Sequence, residues 1–222
     1  TVSISESKKH VFIAIVIDEG NKYKFGDITV SGNFYPLNKE DILQEIKTVS
    51  GAVFKRSEIS TSTEGINSKL GSFGYAFSNV NPIPTVDKEN LIVGFDYFVE
   101  PGQKVYVRRI NFIGNETTKD KVMRREMRQL EASWYAKDKI DISKFRLTRT
   151  QYFDAVDIQT ASVPGSSDQV DLNVKVTERN TGSIKVGAGV SSSEGVVGSF
   201  SVSQSNFLGT GNTVAVSMST GS

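Results

Sequence analysis

The 222-residue chain has no cysteine, one histidine and one tryptophan. Without cysteine there is no disulfide framework, thiolate metal site or thiol nucleophile. That absence fits a reducing cytosol, and equally a periplasmic protein that avoids thiols. One histidine excludes multi-histidine metal sites. No nucleophile–base set assembles from it either, so no catalytic residue, metal or cofactor is assigned and an enzyme is disfavoured. A formal net charge of +1 lacks the clustered basic excess of a nucleic-acid binder, so nucleic acid is excluded as a partner. No run approaches the ~18 apolar residues of a membrane helix. The chain opens without a basic-then-apolar segment, which predicts a cytosolic, processed or internal piece.

The even composition conceals a break at Thr181. Residues 182–222 hold 41 positions but only two charges, Lys185 and Glu194, together with 8 of the 19 glycines and 11 serines. Linkers share that composition, so periodicity decides. Ile184, Val186, Ala188 and Val190 alternate with Ser183, Lys185, Gly187 and Gly189. The same period of two recurs over 196–205 and 212–221. Three successive ten-residue alternating segments match the ~9–11 residues of a tilted transmembrane β-strand, apolar outward and small or polar inward. A half-buried soluble sheet is the alternative, but its wet face ordinarily carries Lys, Glu or Thr.

The rest is a repeat. Lys24–Asn33 (KFGDITVSGN) parallels Tyr106–Asn115 (YVRRINFIGN), placing the Gly-Asn pairs 32–33 and 114–115 82 residues apart. Each unit closes on an alternating strand ending in an acid, Glu100 and Glu178, and the same ending occurs at Glu19. Residues 1–20 therefore read as the last strand of a preceding unit, followed by units at 21–101 and 102–180 and the tail from 181. Each unit predicts a strand (24–31; 104–113), a short helix (from Asn38; Thr118–Leu130), a second helix (57–71; 138–150) and two strands (76–86 with 91–99; 155–163 with 169–178). The second helices present Ile59, Ile66 and Leu70, then Ile140, Phe145 and Leu147. This α+β order, β-α-α-β-β, puts two helices on a three-stranded sheet.

These repeats resemble POTRA domains. The junction Thr177–Ser183 with Gly187-Ala188-Gly189, the turn Asn206–Asn212 and the run Arg124–Gln129 are similar to the hinge, first periplasmic turn and last-POTRA helix of one family. That family provides the central subunits of the bacterial outer-membrane β-barrel assembly machinery. The resemblance covers the whole chain. It implies the end of a third POTRA, complete fourth and fifth POTRAs, and the first three barrel strands, cut short. It further implies a non-enzymatic insertase of the outer membrane with its POTRA domains in the periplasm. The implied partners are accessory lipoproteins, unfolded outer-membrane protein clients and, through the barrel, outer-membrane lipid. Related two-partner secretion or organellar import barrels, and a soluble periplasmic interaction scaffold, are the competing readings.

Three groups of site residues follow. The resemblance puts lipoprotein docking on the last POTRA, at Lys119, Arg124, Arg125, Glu126 and Arg128. A solvated basic face is the plainer account, although Lys121 and Arg125 repel at i,i+4 spacing. The second strand of each repeat is the expected open edge for β-augmentation. Pro82 and Pro84 blunt the first copy, which favours Val156, Asp157, Ile158, Gln159 and Thr160 in the second. Ser183, Ile184, Lys185, Val186, Gly187, Ala188, Gly189 and Val190 would be the lateral-gate strand, weakened by its glycines. Gly187-x-Gly189 is no nucleotide loop, since no helix follows. Asn115-Glu116-Thr117 fits a glycosylation pattern, but a turn explains Asn115 better. His10 reads as a surface residue, and Trp134-Tyr135 as a staple on the second helix.

Overall fold

The computed structural model describes residues 2–4, 11–13, 15, 20–191 and 195–221. Strands β1 (Val2–Ile4) and β2 (Val11–Ile13) pair antiparallel. His10 and the Glu19 ending lie outside the described residues.

The first repeat comprises β3 (Lys24–Gly32), α1 (Lys39–Glu45), α2 (Arg56–Ser72), β4 (Asn79–Asp87) and β5 (Ile92–Glu100). Strand order is β3-β5-β4, with β3 parallel and β4 antiparallel to the central β5. The Asn38 amide donates to the Asp41 carboxylate at 3.0 Å, which satisfies an orphan donor at the start of α1. Phe25, Ile42, Ile66, Leu70, Tyr97 and Val99 fill the space between helices and sheet.

The second repeat has the same plan: β6 (Tyr106–Ile113), α3 (Asp120–Arg124), β7 (Ser133–Trp134), α4 (Lys137–Arg149), β8 (Phe153–Ser162) and β9 (Gln169–Glu178). Its sheet has four strands, ordered β7-β6-β9-β8, not the expected three. The extra strand has a counterpart in the first repeat, where Phe25 donates to the Ala52 carbonyl and Phe54 to that of Tyr23. In both copies the segment before the second helix closes the edge of the first strand. Trp134 is consequently no helix staple. It lies edge-on to Tyr106 at 6.2 Å and stays 57% exposed, while Tyr135 enters the core.

Two helical expectations need correction. The first helix of the second repeat stops at Arg124 instead of reaching Leu130. Gln129 is the reason. Its fully buried side chain accepts from the Ala136 amide and donates to Leu130 and Trp134 carbonyls and Ser133 Oγ, so it organises the turn that must follow. In α4 the buried stripe is Ile140, Ser143 and Leu147, and Phe145 is 64% exposed. Ser143 is chosen for its hydroxyl, which accepts from the amides of Arg128 at 2.8 Å and Gln129 at 3.4 Å. Ser62, 81 positions earlier, accepts from Lys47 in the same way. Both serines fasten the end of a first helix to a second. Replacing Ser143 by Ala strands two amides and should cost roughly 1–3 kcal/mol in denaturant unfolding. A loss within error would show that water satisfies them.

The tail forms β10 (Gly182–Ser191), β11 (Gly195–Gln204) and β12 (Val214–Gly221), an antiparallel three-stranded sheet in that order. It is open along β10 and β12 among the described residues, and it is not a closed barrel. No helix among the described residues is long and apolar enough to cross a membrane.

Candidate functional site

The tail sheet has two unlike faces. Its register aligns Ile184 with Val202 and Val216, and Val186 with Phe200 and Met218. The adjacent rows align Lys185 with Ser201 and Ser217, and Gly187 with Ser199 and Ser219. One face is therefore mainly an apolar band, broken at the row Ala188–Gly198–Thr220, and the other is mostly small and polar apart from Lys185 and Val197. The band is bare: Ile184, Val186 and Val190 are 71–86% exposed. So large a contiguous apolar surface does not stay in water without something to cover it. Of the eight expected gate residues, all lie in β10, the sheet's first edge. A side chain at Gly189 would meet nothing within 4 Å, so crowding does not demand that glycine, whereas one at Gly187 would meet Ser199.

The edge residues Val156–Thr160 lie in β8, which pairs only with β9 among the described strands. Val156 is buried, and Asp157 and Gln159 point outward, Gln159 donating to Asp157 at 2.9 Å. In the first repeat β4 is the matching edge and carries Pro82 and Pro84, residues that only an edge strand tolerates.

The five docking residues surround α3. Arg124 is committed within the repeat: its guanidinium bonds Asp120, Glu131 and the Ile110 carbonyl and lies over the Phe112 ring. Asp120 first, then burial and Glu131, act on that group, and the balance raises its pKa. Glu126 joins Arg125 at 3.4 Å and Arg146 at 2.7 Å. Lys119 and Arg128 are exposed and carry no ion pair among the described residues.

Just before α3, the carboxylate of Glu178 accepts from the amides of Thr117 at 2.9 Å and Thr118 at 2.6 Å. Burial pushes this carboxyl up, but the Thr118 and Thr117 donors outweigh it and hold its pKa below the ordinary 4.5. A depressed carboxylate contributes stability above its unfolded pKa and loses it as pH falls through the folded value. Acidification below pH ~4 should therefore loosen the 117–118 turn in wild type but not in Glu178→Gln, as read by hydrogen exchange of those amides. Equal pH responses would remove Glu178 from the turn's stability.

The β11–β12 connection, residues 205–213, reaches back to this same turn. The Lys119 amide donates to the Gly209 carbonyl at 3.0 Å, Asn206 Nδ2 to Thr118 Oγ1 at 2.8 Å, and Tyr152 Oη to the Gly211 carbonyl at 3.1 Å. Sequence reasoning missed these contacts and the paired serines. The serines were visible in the repeat spacing; the turn contacts leave no periodic signal.

A family model described as "Surface antigen variable number repeat", POTRA, matches residues 23–102 and again 105–179. The chain belongs to the POTRA family. Its POTRA pair and tail are together 34% identical over 215 residues to outer membrane protein assembly factor BamA of Neisseria meningitidis, covering 97% of this chain and 27% of that protein. BamA of Buchnera aphidicola is 31% identical, again over 97% of this chain and 35% of the relative. The chain thus spans about a third or less of these curated relatives. Among solved structures, Haemophilus ducreyi BamA lacking POTRA domains 1–3 superposes with a TM-score of 0.74 at 34% identity, over 90% of this chain and 37% of the other. Haemophilus influenzae BamA POTRA3-5 gives 0.74 at 31% identity, over 80% of this chain and 70% of that one. The relatives are outer-membrane protein assembly factors, and this chain carries the POTRA region of such a factor.

Proposed function

We propose that this chain is the membrane-proximal part of an outer-membrane protein assembly factor. Two periplasmic POTRA repeats, the fourth and fifth, lead into the first three strands of a transmembrane barrel. The observation that carries this reading is the bare apolar band of β10–β12 directly after a POTRA pair. Lipid covers such a band, and closure by further strands satisfies the backbone groups that β10 and β12 leave open.

In this reading the work is non-covalent. An unfolded client brings an extended backbone, and the open edges of β8 and β10 offer unpaired N–H and C=O groups to it. Pairing of this kind reads backbone more than sequence, which suits many clients. Burial of apolar strand faces in lipid drives insertion, so no cofactor is required. Lys119 and Arg128, whose side chains form no ion pair within the repeat, are the docking charges for an accessory lipoprotein. Arg124, Arg125 and Glu126 shape the face that presents them.

Photocrosslinkers at Ile158 and Gln159 in β8, and at Lys185 in β10, test the client contacts in the full-length protein. Crosslinks to an unfolded barrel precursor that vanish once it has folded are expected. No client adduct at any of the three would refute the edge-pairing account. Lys119→Glu with Arg128→Glu should weaken lipoprotein capture and leave β8 adducts in place.

A further inference from the structure

We propose that the β11–β12 turn is a latch fixing the second POTRA repeat to the tail sheet. Thr118, Tyr152 and Asn206 are its positioning residues, and through them a load on α3 reaches the edge strand β10. The proposal rests on the barrel reading above.

The turn is built for the repeat and not for the hairpin. Two antiparallel strands can be joined by two residues, yet nine lie between Gln204 and Val214. They include left-handed backbone, which Gly and Asn take readily and a bulky residue does not. Asn206 has φ +54°, and Leu208 has φ +52° although its side chain is bulky and mostly exposed. Such strain persists only where surroundings over-determine it. Here the surroundings are the repeat. Gly209 also has positive φ, and any Cβ on it would collide with the Thr117 carbonyl. Gly211 lies under Val122 and Arg125 of α3 and its C-cap. Asn206 is 7% exposed, and its side chain spans the joint: Nδ2 goes to Thr118 while Oδ1 receives the Gly211 amide at 2.8 Å.

The other side of the joint is closed as well. Glu178, the last residue of β9, holds the Thr117 and Thr118 amides from within the repeat. The three residues after it, Arg179–Thr181, are the only covalent link to β10. Thr181 exchanges hydrogen bonds with Ser205, and Gln204 Nε2 donates to Thr181 Oγ1 at 2.8 Å. Hinge, turn and α3 N-terminus form one closed loop of contacts. A three-residue hinge held on both sides cannot swivel by itself, so displacement of α3 carries the periplasmic end of the sheet with it.

Thr118→Val with Tyr152→Phe removes two latch hydroxyls and changes neither shape nor backbone. Asn206→Ala tests the same joint from the turn and leaves the repeat core intact. In the full-length protein in lipid nanodiscs, spin labels on Lys139→Cys in α4 and Ser217→Cys in β12 should give one narrow distance in wild type. Two lost hydrogen bonds lower the ratio of closed to open latch roughly ten- to hundredfold, so the distribution should broaden in both variants, and client insertion should slow while lipoprotein capture at α3 stays unchanged. An unchanged width in both variants overturns the latch. Broadening with unaltered insertion overturns the transmission of load. A broad wild-type distribution in inserted protein likewise overturns the latch, whereas a wild-type protein whose tail does not insert into lipid at all sinks the barrel reading instead.

Discussion

Arginine in place of Val216 will stop the tail from entering a bilayer, and arginine in place of its neighbour Ser217 will be tolerated. Val216 stands in the row Ile184–Val202–Val216, whereas Ser217 stands in the row Lys185–Ser201–Ser217, which already holds a charge. On the lipid face of a barrel, Arg at the midplane costs roughly 2–4 kcal/mol, falling towards the interfaces, while lumen-facing substitutions are borne by water. A protein whose stability is of the order of 5–15 kcal/mol is sensitive to a loss of that size, most of all during insertion. The folded fraction of full-length protein after refolding into vesicles measures the difference. Equal yields for the two variants, or a worse yield for Ser217→Arg, would mean that the apolar band does not face lipid. A soluble module with a loose tail predicts no dependence on parity at all.

Gly114→Ala should be the most damaging methyl group in the second repeat. Gly114 has φ +89°, and a Cβ there lies well under 3.0 Å from the Val176 carbonyl oxygen. The carbonyl cannot readily yield, since Val176 belongs to backbone of β9 that is paired with β8, and Gly114 follows directly on the last paired residue of β6. Left-handed strain of roughly 1–3 kcal/mol adds to a steric term of similar size. Together they should lower the thermal midpoint of a chain ending at Asn180 by roughly 10–30 °C in the second repeat's transition. Gly165→Ala is the control, with φ +81° and nothing within 4 Å. It isolates the conformational term, so similar midpoints for the two variants would show that the contact with Val176 relaxes freely. Gly32→Ala, against Val99, should reproduce the effect in the first repeat alone.

Those two glycines show why so much of the fold was legible. A Gly-Asn pair recurring after 82 residues marks a backbone requirement, and the structure supplies its cause in the β-strand that passes beneath. Element order and the alternation of the tail also follow from short-range pattern. What stayed hidden depends on side chains acting across the pattern. Gln129 interrupts an apolar helical run whose spacing predicts continuation to Leu130, because a single buried amide is worth more to the following turn than another helical residue. Phe145 suits the apolar face by type, yet it lies about half a turn from Leu147 and Ile140, and Ser143 takes the inward place. At the candidate site, the edge strands and the two-faced sheet could be anticipated from period and proline. The contacts of Asn206 with Thr118, 88 positions apart, could not, since neither residue type nor spacing announces them.

The strand order of the repeats also bears on when they can form during export. In each repeat an inner strand is the last to be made: β5 joins β3 across 68 residues at Lys24 and Ile92, and β9 joins β6 across 63 at Tyr106 and Gln169. Until that strand emerges, its two neighbours in the sheet have nothing between them and the helices lack the middle of the surface they cover. Non-local pairing of this kind is slow and leaves edges exposed while it waits. Each repeat therefore completes in one step as its closing strand slides home. Because β10 follows β9 after only three residues, the second repeat is finished just as the first strand of the tail sheet begins. The order of synthesis itself places a folded platform beneath the sheet before the sheet needs a neighbour.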